Sequence, residues 1–326
     1  MTITKITEAK GLSAQWDILC QDYYQKRSFL SYCEKYNPCD QEYFCLFDNK
    51  ELLAGCIVYK LKVNLLTFTK TKSIDINMTI IGLPVAISSS GIIGKKEHKS
   101  RLIDSILSDY SGMVFIYNGG DLQIRKAFRM RGMPTIILNN PFKDTQEYIN
   151  QMRKSYRRRF NKTINQDIKY EIEPFTEEHY KYYIEIMNRA DSKLETLSYD
   201  FFANLPSDFV ITTAKVGDEI VAWNVTLQDR DRFFFFFGGL NYVLNQLHNA
   251  YFNNLYQIIF EGINRGCKVI DLGSTAEIPK LRSGGVPIKK YFYARHSNRI
   301  LHFFMKIFKK FLQYNRKLPC FEVFKS

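Results

Sequence analysis

Two cationic side chains close a polar loop in the last third of the chain. The loop covers residues 273–282, GSTAEIPKLR, and ends on Lys280 and Arg282. It follows residues 267–272, CKVIDL, a short apolar run with the β-branched content of a central strand. Open α/β sheets hold ligands just beyond the carboxyl ends of their strands. Lys280, Arg282 and Thr275 therefore stand where an anionic donor or acceptor can be gripped. Ahead of the strand, Tyr251, Phe252, Leu255, Ile258, Ile259 and Ile263 recur at helical spacing. Tyr251 and Asn253 open that helix. His248, just before it, has a ring whose ordinary pKa suits proton transfer near neutrality; capping the helix is the alternative role. A second concentration of charge lies between Arg153 and Lys162, where six Lys or Arg fall, Arg157 and Arg158 among them. Such a run can track a tRNA backbone or form a solvated helix face.

Several chemistries are poorly represented. There is no G-x-S-x-G elbow with ordered Asp and His, no H-E-x-x-H, no Walker loop and no dinucleotide fingerprint. The seven cysteines include five in the first 56 residues, but none form a C-x-x-C pair and no histidine cluster lies nearby. They read as reduced structural thiols, with no metal site expected.

The elements that must position these residues come from the rest of the pattern. Residues 12–36 read as helical, 42–47 and 52–61 as a hairpin, and 65–68 and 74–81 as strands. A Ser/Gly-rich loop leads into a helix over 95–109, a strand at 113–117, a short basic helix at 122–131 and a strand at 135–138. Residues 144–166 read as a basic connecting helix. A second round follows: a helix at 179–193, a hairpin at 210–216 and 220–227, a strand at 232–238, then the helix and strand described above. Lys50–Cys56 and Asp218–Asn224, KELLAGC and DEIVAWN, match in pattern, so an internal duplication of roughly 150 residues is expected. The expected domains are 1–143 and 167–326, joined by 144–166. The closing segment, 299–317, carries a wide apolar stripe with its lysines largely off it. It is expected to dock on its own domain; a helix lying on an anionic membrane would look the same.

The chain has 326 residues, 45% of them hydrophobic, with a net charge of +13. That supports two packed cores and favours phosphate-rich partners. No apolar run approaches the roughly 20 residues that span a bilayer, and the first residues lack an apolar signal core, so a cytoplasmic protein is expected.

The order of elements in each round resembles a GNAT acyltransferase domain. Gly238-Gly239-Leu240-Asn241-Tyr242, Ala250 to Asn253, Gly266, Asp271 to Thr275, Lys280-Leu281-Arg282 and Gly284 resemble the second domain of tandem-GNAT proteins, a group that includes FemABX-like enzymes. The resemblance implies an α/β (α+β) fold of two tandem GNAT-like domains, each a mixed, mostly antiparallel sheet flanked by helices. It implies acyl transfer to an amine, here of an envelope or lipid precursor, from acyl-CoA as co-substrate or alternatively from an aminoacyl-tRNA. A non-catalytic module at a membrane or nucleic-acid surface is the reading from another class. The resemblance places Glu195, in a loop over the acceptor, as the first candidate base and His248 as the second. It places Gly238 and Gly239, with Lys280, Arg282, Tyr251, Asn253 and Thr275, at the donor and acceptor. Coenzyme A phosphates are held in this family by a glycine-rich loop opening a helix. Gly238 to His248 lacks that composition; in the first half the equivalent is Ser88 to Lys95, where Ser90, Gly91, Gly94 and Lys95 could cradle an anion.

Overall fold

The computed structural model describes residues 1–64, 75–190 and 195–325. Its strands, in chain order, are β1 (Thr2–Ile6), β2 (Glu42–Asp48), β3 (Glu51–Asn64), β4 (Asp75–Ile81), β5 (Ile92–Gly94), β6 (Met113–Ile116), β7 (Phe128–Arg131) and β8 (Thr135–Asn139). They continue with β9 (Lys169–Ile172), β10 (Phe209–Val216), β11 (Glu219–Asp229), β12 (Arg232–Leu240), β13 (Val269–Asp271), β14 (Val286–Ile288) and β15 (Tyr291–His296). The expected strand at 65–68 lies outside the described residues.

The strands form two sheets, each in its own compact unit. The first has the order β1-β2-β3-β4-β6-β15-β7, with β5 added to β3. The second has the order β9-β10-β11-β12-β13-β8-β14. The two orders repeat each other. An antiparallel run (β2-β3-β4, or β10-β11-β12) meets one parallel neighbour (β6, or β13), and an antiparallel strand from the other half of the chain follows. The hairpins match residue by residue. In one, Phe47 pairs with Leu52 and Leu46 with Ala54, leaving Leu53 as a bulge. In the other, Lys215 pairs with Ile220 and Ala214 with Ala222, leaving Val221 as a bulge.

The duplication extends to one aromatic contact. Gly55 and Trp223 occupy equivalent positions. In the first unit the Trp16 indole packs on Gly55, and an added Cβ there would come within 2.3 Å of its ring. In the second unit the strand supplies its own indole, Trp223, and Gly239 on the neighbouring strand makes room for it. Each buried ring N–H donates to a backbone carbonyl, Trp16 to Gln25 and Trp223 to His179, both at 2.8 Å.

Domain boundaries differ from the expected ones. The first unit comprises residues 1–133, Glu195 and 289–316; the second comprises 134–190, 196–288 and 317–326. Strand β8 thus joins the second sheet and β15 the first, because each pairs with a strand distant in sequence rather than with its chain neighbours. Residues 122–131 are not a helix: β7 alternates buried Phe128 and Met130 with exposed Arg129 and Arg131, the period of a strand edge. Residues 144–166 are not one connector. They form two helices, Thr145–Gln151 and Lys154–Thr163, that belong to the second unit. The break falls at Met152, whose backbone bridges Phe324 while the Arg153 N–H donates to the Val323 carbonyl at 2.9 Å. Tyr148, Met152 and Phe160 are buried on the helix Ala250–Asn264 and its neighbours. Phe160 meets Tyr256 edge-on at 4.8 Å.

The closing helix, Arg299–Ile307, belongs to the first unit and does not dock by its apolar stripe. None of its residues is buried. Among the described residues no helix is long and apolar enough to cross a membrane.

Candidate active site in the second unit

The site is set by a gap between two strands. Strands β12 and β13 run parallel and pair only where Arg232, Phe233 and Phe234 meet Val269, Ile270 and Asp271. Beyond that, Leu272 and Gly273 hydrogen-bond to Ile136 of β8 instead, and β12 continues alone to Leu240. A bulge widens the divergence. Thr226 pairs with Phe235 and Val225 with Phe237, so Phe236 has no partner. Phe236 and Phe237 both pack into the aromatic layer of Phe201, Phe202 and Tyr183, which leaves Phe235 to face the gap.

The Lys280 ammonium lies at that gap, beside Phe235 and Gly273. The chain leaves β13 through Gly273 at φ +73°, then passes through Thr275 and Ala276 at +63° and +44°. Left-handed backbone is unfavourable for a β-branched residue such as Thr275, and it is held here by contacts on both sides. Asp271 Oδ1 accepts from the Gly273 N–H and from Thr135 Oγ1, each at 2.9 Å. Lys280, in the short helix Glu277–Arg282, reaches back with Nζ donating to the Ser274 carbonyl at 2.8 Å and the Gly273 carbonyl at 3.4 Å. Its ammonium lies 5.8 Å from the Phe235 ring centroid. Lys280 is 3% exposed. Burial pulls its pKa down to about 8, against the opposing pull of Asp271 and Glu277. An ammonium has three N–H donors, and the two carbonyls engage two of them. A buried lysine held by carbonyls, rather than locked to a carboxylate, and titrating near neutrality is the environment in which side chains do chemistry.

Polar groups line the neighbouring strand. Asn224 lies opposite Gly238 and Thr226 opposite Phe235. Asn224 Oδ1 and Thr226 Oγ1 are buried with no hydrogen-bond partner among the described residues. The Asn224 amide donates to Asn254 Oδ1 at 2.7 Å. Phe235, Asn224, Thr226 and Glu277 join Lys280 here without belonging to any motif in the sequence. The i, i+3 spacing of Glu277 and Lys280 was the visible hint.

The other expected residues go elsewhere. Arg282, two positions along the helix, is turned off the Lys280 face; it is exposed and its guanidinium lies 5.4 Å from the Phe321 ring centroid. Thr275 is exposed in the loop. Gly238 and Gly239 are glycines because of Trp223: an added Cβ would come 2.7 Å from its carbonyl and 1.9 Å from its indole nitrogen, respectively. Tyr251 is half-buried against Phe252, and burial pushes its phenol pKa up. Asn253 is a 2%-exposed pin. It accepts from the Asn165 N–H at 3.0 Å and donates to the carbonyls of Thr163, His248 and Asn249 at 3.1 Å.

The structure places His248 apart from Lys280. It borders an open cavity of about 560 Å³ with Asn165, Lys162 and Leu247, which Lys280 does not line. Asn165 Oδ1 accepts from the Asp167 N–H at 3.0 Å, which fixes the Asn165 amide so that its NH2 group faces His248 Nδ1 at 3.1 Å. Nδ1 must then accept, and in the neutral ring the proton sits on Nε2.

Arg157 and Arg158 lie on the helix Lys154–Thr163, Arg158 exposed and Arg157 half-buried with Nη1 3.4 Å from the Asn150 carbonyl.

In the first unit, residues 88–95 are scaffold rather than an open anion cradle. Strand β5 pairs with Ala54 to Cys56 of β3. A Cβ on Gly91 would come 2.1 Å from the Gly82 backbone; one on Gly94, at φ +106°, would come 2.3 Å from the Leu53 carbonyl. Ser90 Oγ accepts from the Ile92 N–H, and the Ser90 carbonyl accepts from Gln25. Lys95 is exposed just before the helix Lys96–Ile106. Glu195 belongs to this unit. Its carboxylate accepts from the Ala86 N–H at 2.7 Å and the Asn37 amide at 3.1 Å, and burial raises its pKa. Glu195→Ala would leave both donors without a partner, so urea unfolding of the first unit is expected to be easier by about 1–3 kcal/mol. An unchanged midpoint would mean that water replaces the carboxylate at no cost.

The site is a buried lysine at the splay between two parallel strands, past the bulge of β12. Residues 123–280 match the family model described as "Acetyltransferase (GNAT) domain". That segment, just under half of the chain, is therefore of GNAT acetyltransferase type, which supports an acyltransferase. Among curated proteins the sequence finds no match. Similar solved structures include a GCN5-related N-acetyltransferase from Anabaena variabilis (9% identity, 91% of this chain and 73% of that one, TM-score 0.48). FemX is another (11% identity, 81% and 90%, TM-score 0.49). A third is the C-terminal domain of a putative lysylphosphatidylglycerol synthetase from Agrobacterium fabrum (7% identity, 90% and 94%, TM-score 0.49).

Proposed function

We propose that the second unit transfers an acyl group from an acyl-CoA-type donor to the amine of an envelope or lipid precursor, with the carbonyl seated in the β12–β13 splay. The observation that carries this is Lys280: an ammonium 3% exposed, held by two carbonyls and brought to a pKa of about 8 by burial. Direct attack of an amine on an activated carbonyl puts negative charge on the carbonyl oxygen. A donor already fixed in a dry site stabilises that charge without reorganising. The remaining N–H of Lys280 is that donor. The step needs no covalent nucleophile: the amine nitrogen bonds to the carbonyl carbon, the carbonyl oxygen takes up and returns the charge, the carbon–sulfur bond breaks, and the proton lost by the amine passes through water to the departing thiolate. The buried acceptors Asn224 Oδ1 and Thr226 Oγ1 are suited to ordering the incoming group or its water. Glu195 remains the proposed general base for the amine, and burial raises its pKa.

An aminoacyl-tRNA donor is the second reading, favoured by the cationic face of the helix Lys154–Thr163. The test is a thermal-shift titration with acetyl-CoA, a long-chain acyl-CoA and charged tRNA. Stabilisation by an acyl-CoA that grows with concentration is expected. Stabilisation by charged tRNA alone would select the second reading, and no response to any donor would defeat both.

A further inference from the structure

The closing segment exposes an apolar face that its own unit does not use. Ile300, Phe303, Phe304 and Ile307 are 67%, 59%, 50% and 54% exposed, and Phe311 in the following turn is 82% exposed. At about 100° per residue the first four fall within an arc of roughly 100°. Contact with the rest of the first unit comes from the opposite side of the helix. Met305 packs against Phe128 and Met130, and the His302 ring lies 5.3 Å from Phe128. The apolar arc therefore points away from the core of the first unit. Arg299 and Lys306 flank it, and Lys309 and Lys310 follow in the next turn. No Asp or Glu occurs between Glu277 and Glu322. An apolar face of this size on a water-soluble fold marks an interaction surface.

From this geometry we infer that the segment Arg299–Leu312 lies on the surface of a bilayer rich in anionic lipid, its phenylalanines entering the headgroup boundary and its cations against the lipid phosphates. Charge selects this occupant. Pairing the same face of two copies would set lysine rims with no acidic partner against each other, whereas an anionic leaflet complements both the apolar arc and the cations. The segment is two short helices, Arg299–Ile307 and Lys309–Leu312, so it rests on the leaflet without crossing it.

The test is co-sedimentation of the full chain with vesicles of phosphatidylglycerol and phosphatidylcholine, against vesicles of phosphatidylcholine alone. The wild type is expected to bind the anionic vesicles and to release as salt rises. Phe303→Asp with Phe304→Asp is expected to weaken binding by about tenfold or more. Lys306→Glu with Lys310→Glu is expected to abolish the preference for anionic vesicles. These side chains are exposed, so the thermal midpoints of both variants should match wild type. Vesicle binding needs neither donor nor acceptor, and Lys280→Met is expected to bind as wild type does, which separates this inference from the acyl-transfer reading. Equal binding of wild type and the phenylalanine variant, or a wild-type dimer that the variant dissolves without any vesicle binding, would overturn it.

Discussion

Replacing Lys280 by methionine is expected to lower the rate of acyl transfer about a hundredfold, the usual cost of losing one preorganised oxyanion donor, while leaving the fold in place. Methionine matches the lysine stem in volume and keeps its contact with Phe235. It removes a buried charge but also takes a donor from the Gly273 and Ser274 carbonyls. The two effects oppose, so the change in stability at neutral pH is expected to be small beside the change in rate. A pH signature isolates the lysine. Its folded pKa of about 8 lies below the ordinary lysine value of 10.5. Between those values the unfolded chain binds more protons than the native one, so stability must rise with pH. Urea unfolding at pH 8 and pH 10.5 should therefore show wild type gaining up to about 3 kcal/mol relative to Lys280→Met. A parallel response in the two proteins would mean that Lys280 is solvated.

The second large effect concerns the layer behind the gap. Gly239→Ala would place a methyl 1.9 Å from the Trp223 indole nitrogen and 2.6 Å from its Cε2. The indole has nowhere to go: it is fully buried between Phe175, His179 and Phe202. Moving it would also break its bond to the His179 carbonyl. Overpacking together with one lost buried hydrogen bond amounts to about 2–4 kcal/mol, seen as a lower urea midpoint. Trp223→Phe in the same background should recover part of the loss, because it removes the nitrogen that clashes. A midpoint within error of wild type for Gly239→Ala would show that the two strands part more easily than the packing implies.

Both hairpins, and their alignment down to the position of Gly55 against Trp223, could be read from the chain, because local alternation and turn chemistry encode them. The strands that move between halves could not. Nothing in 135–139 or 291–296 records that its partner lies more than a hundred residues away. The polar loop ending at Lys280 stood out as soon as the strand before it was recognised. Its pairing with Arg282 misled, because adjacency in sequence is not adjacency on a helix. Lys280 looked like a surface cation, and only the turn through Gly273, Thr275 and Ala276 carries it inward. His248 showed the reverse case. Its residue type promised a base, while the hydrogen bond from Asp167 to Asn165 that turns the Asn165 amide toward its Nδ1 depends on a loop conformation that composition does not determine. The apolar stripe of the closing helix was legible, but not the side on which it packs. That side is fixed by Met305 and His302 against β7, a strand that had itself read as a helix.

The account rests on a protonated Lys280 donating to the reacting carbonyl, and the pH dependence of transfer addresses it most directly. With the acyl donor identified by thermal shift, the rate at saturating amine should fall as pH rises through about 8. The same limb should vanish in Lys280→Arg, which keeps its charge throughout that range. A wild-type rate that climbs through pH 8, or a falling limb that Lys280→Arg retains, would contradict it.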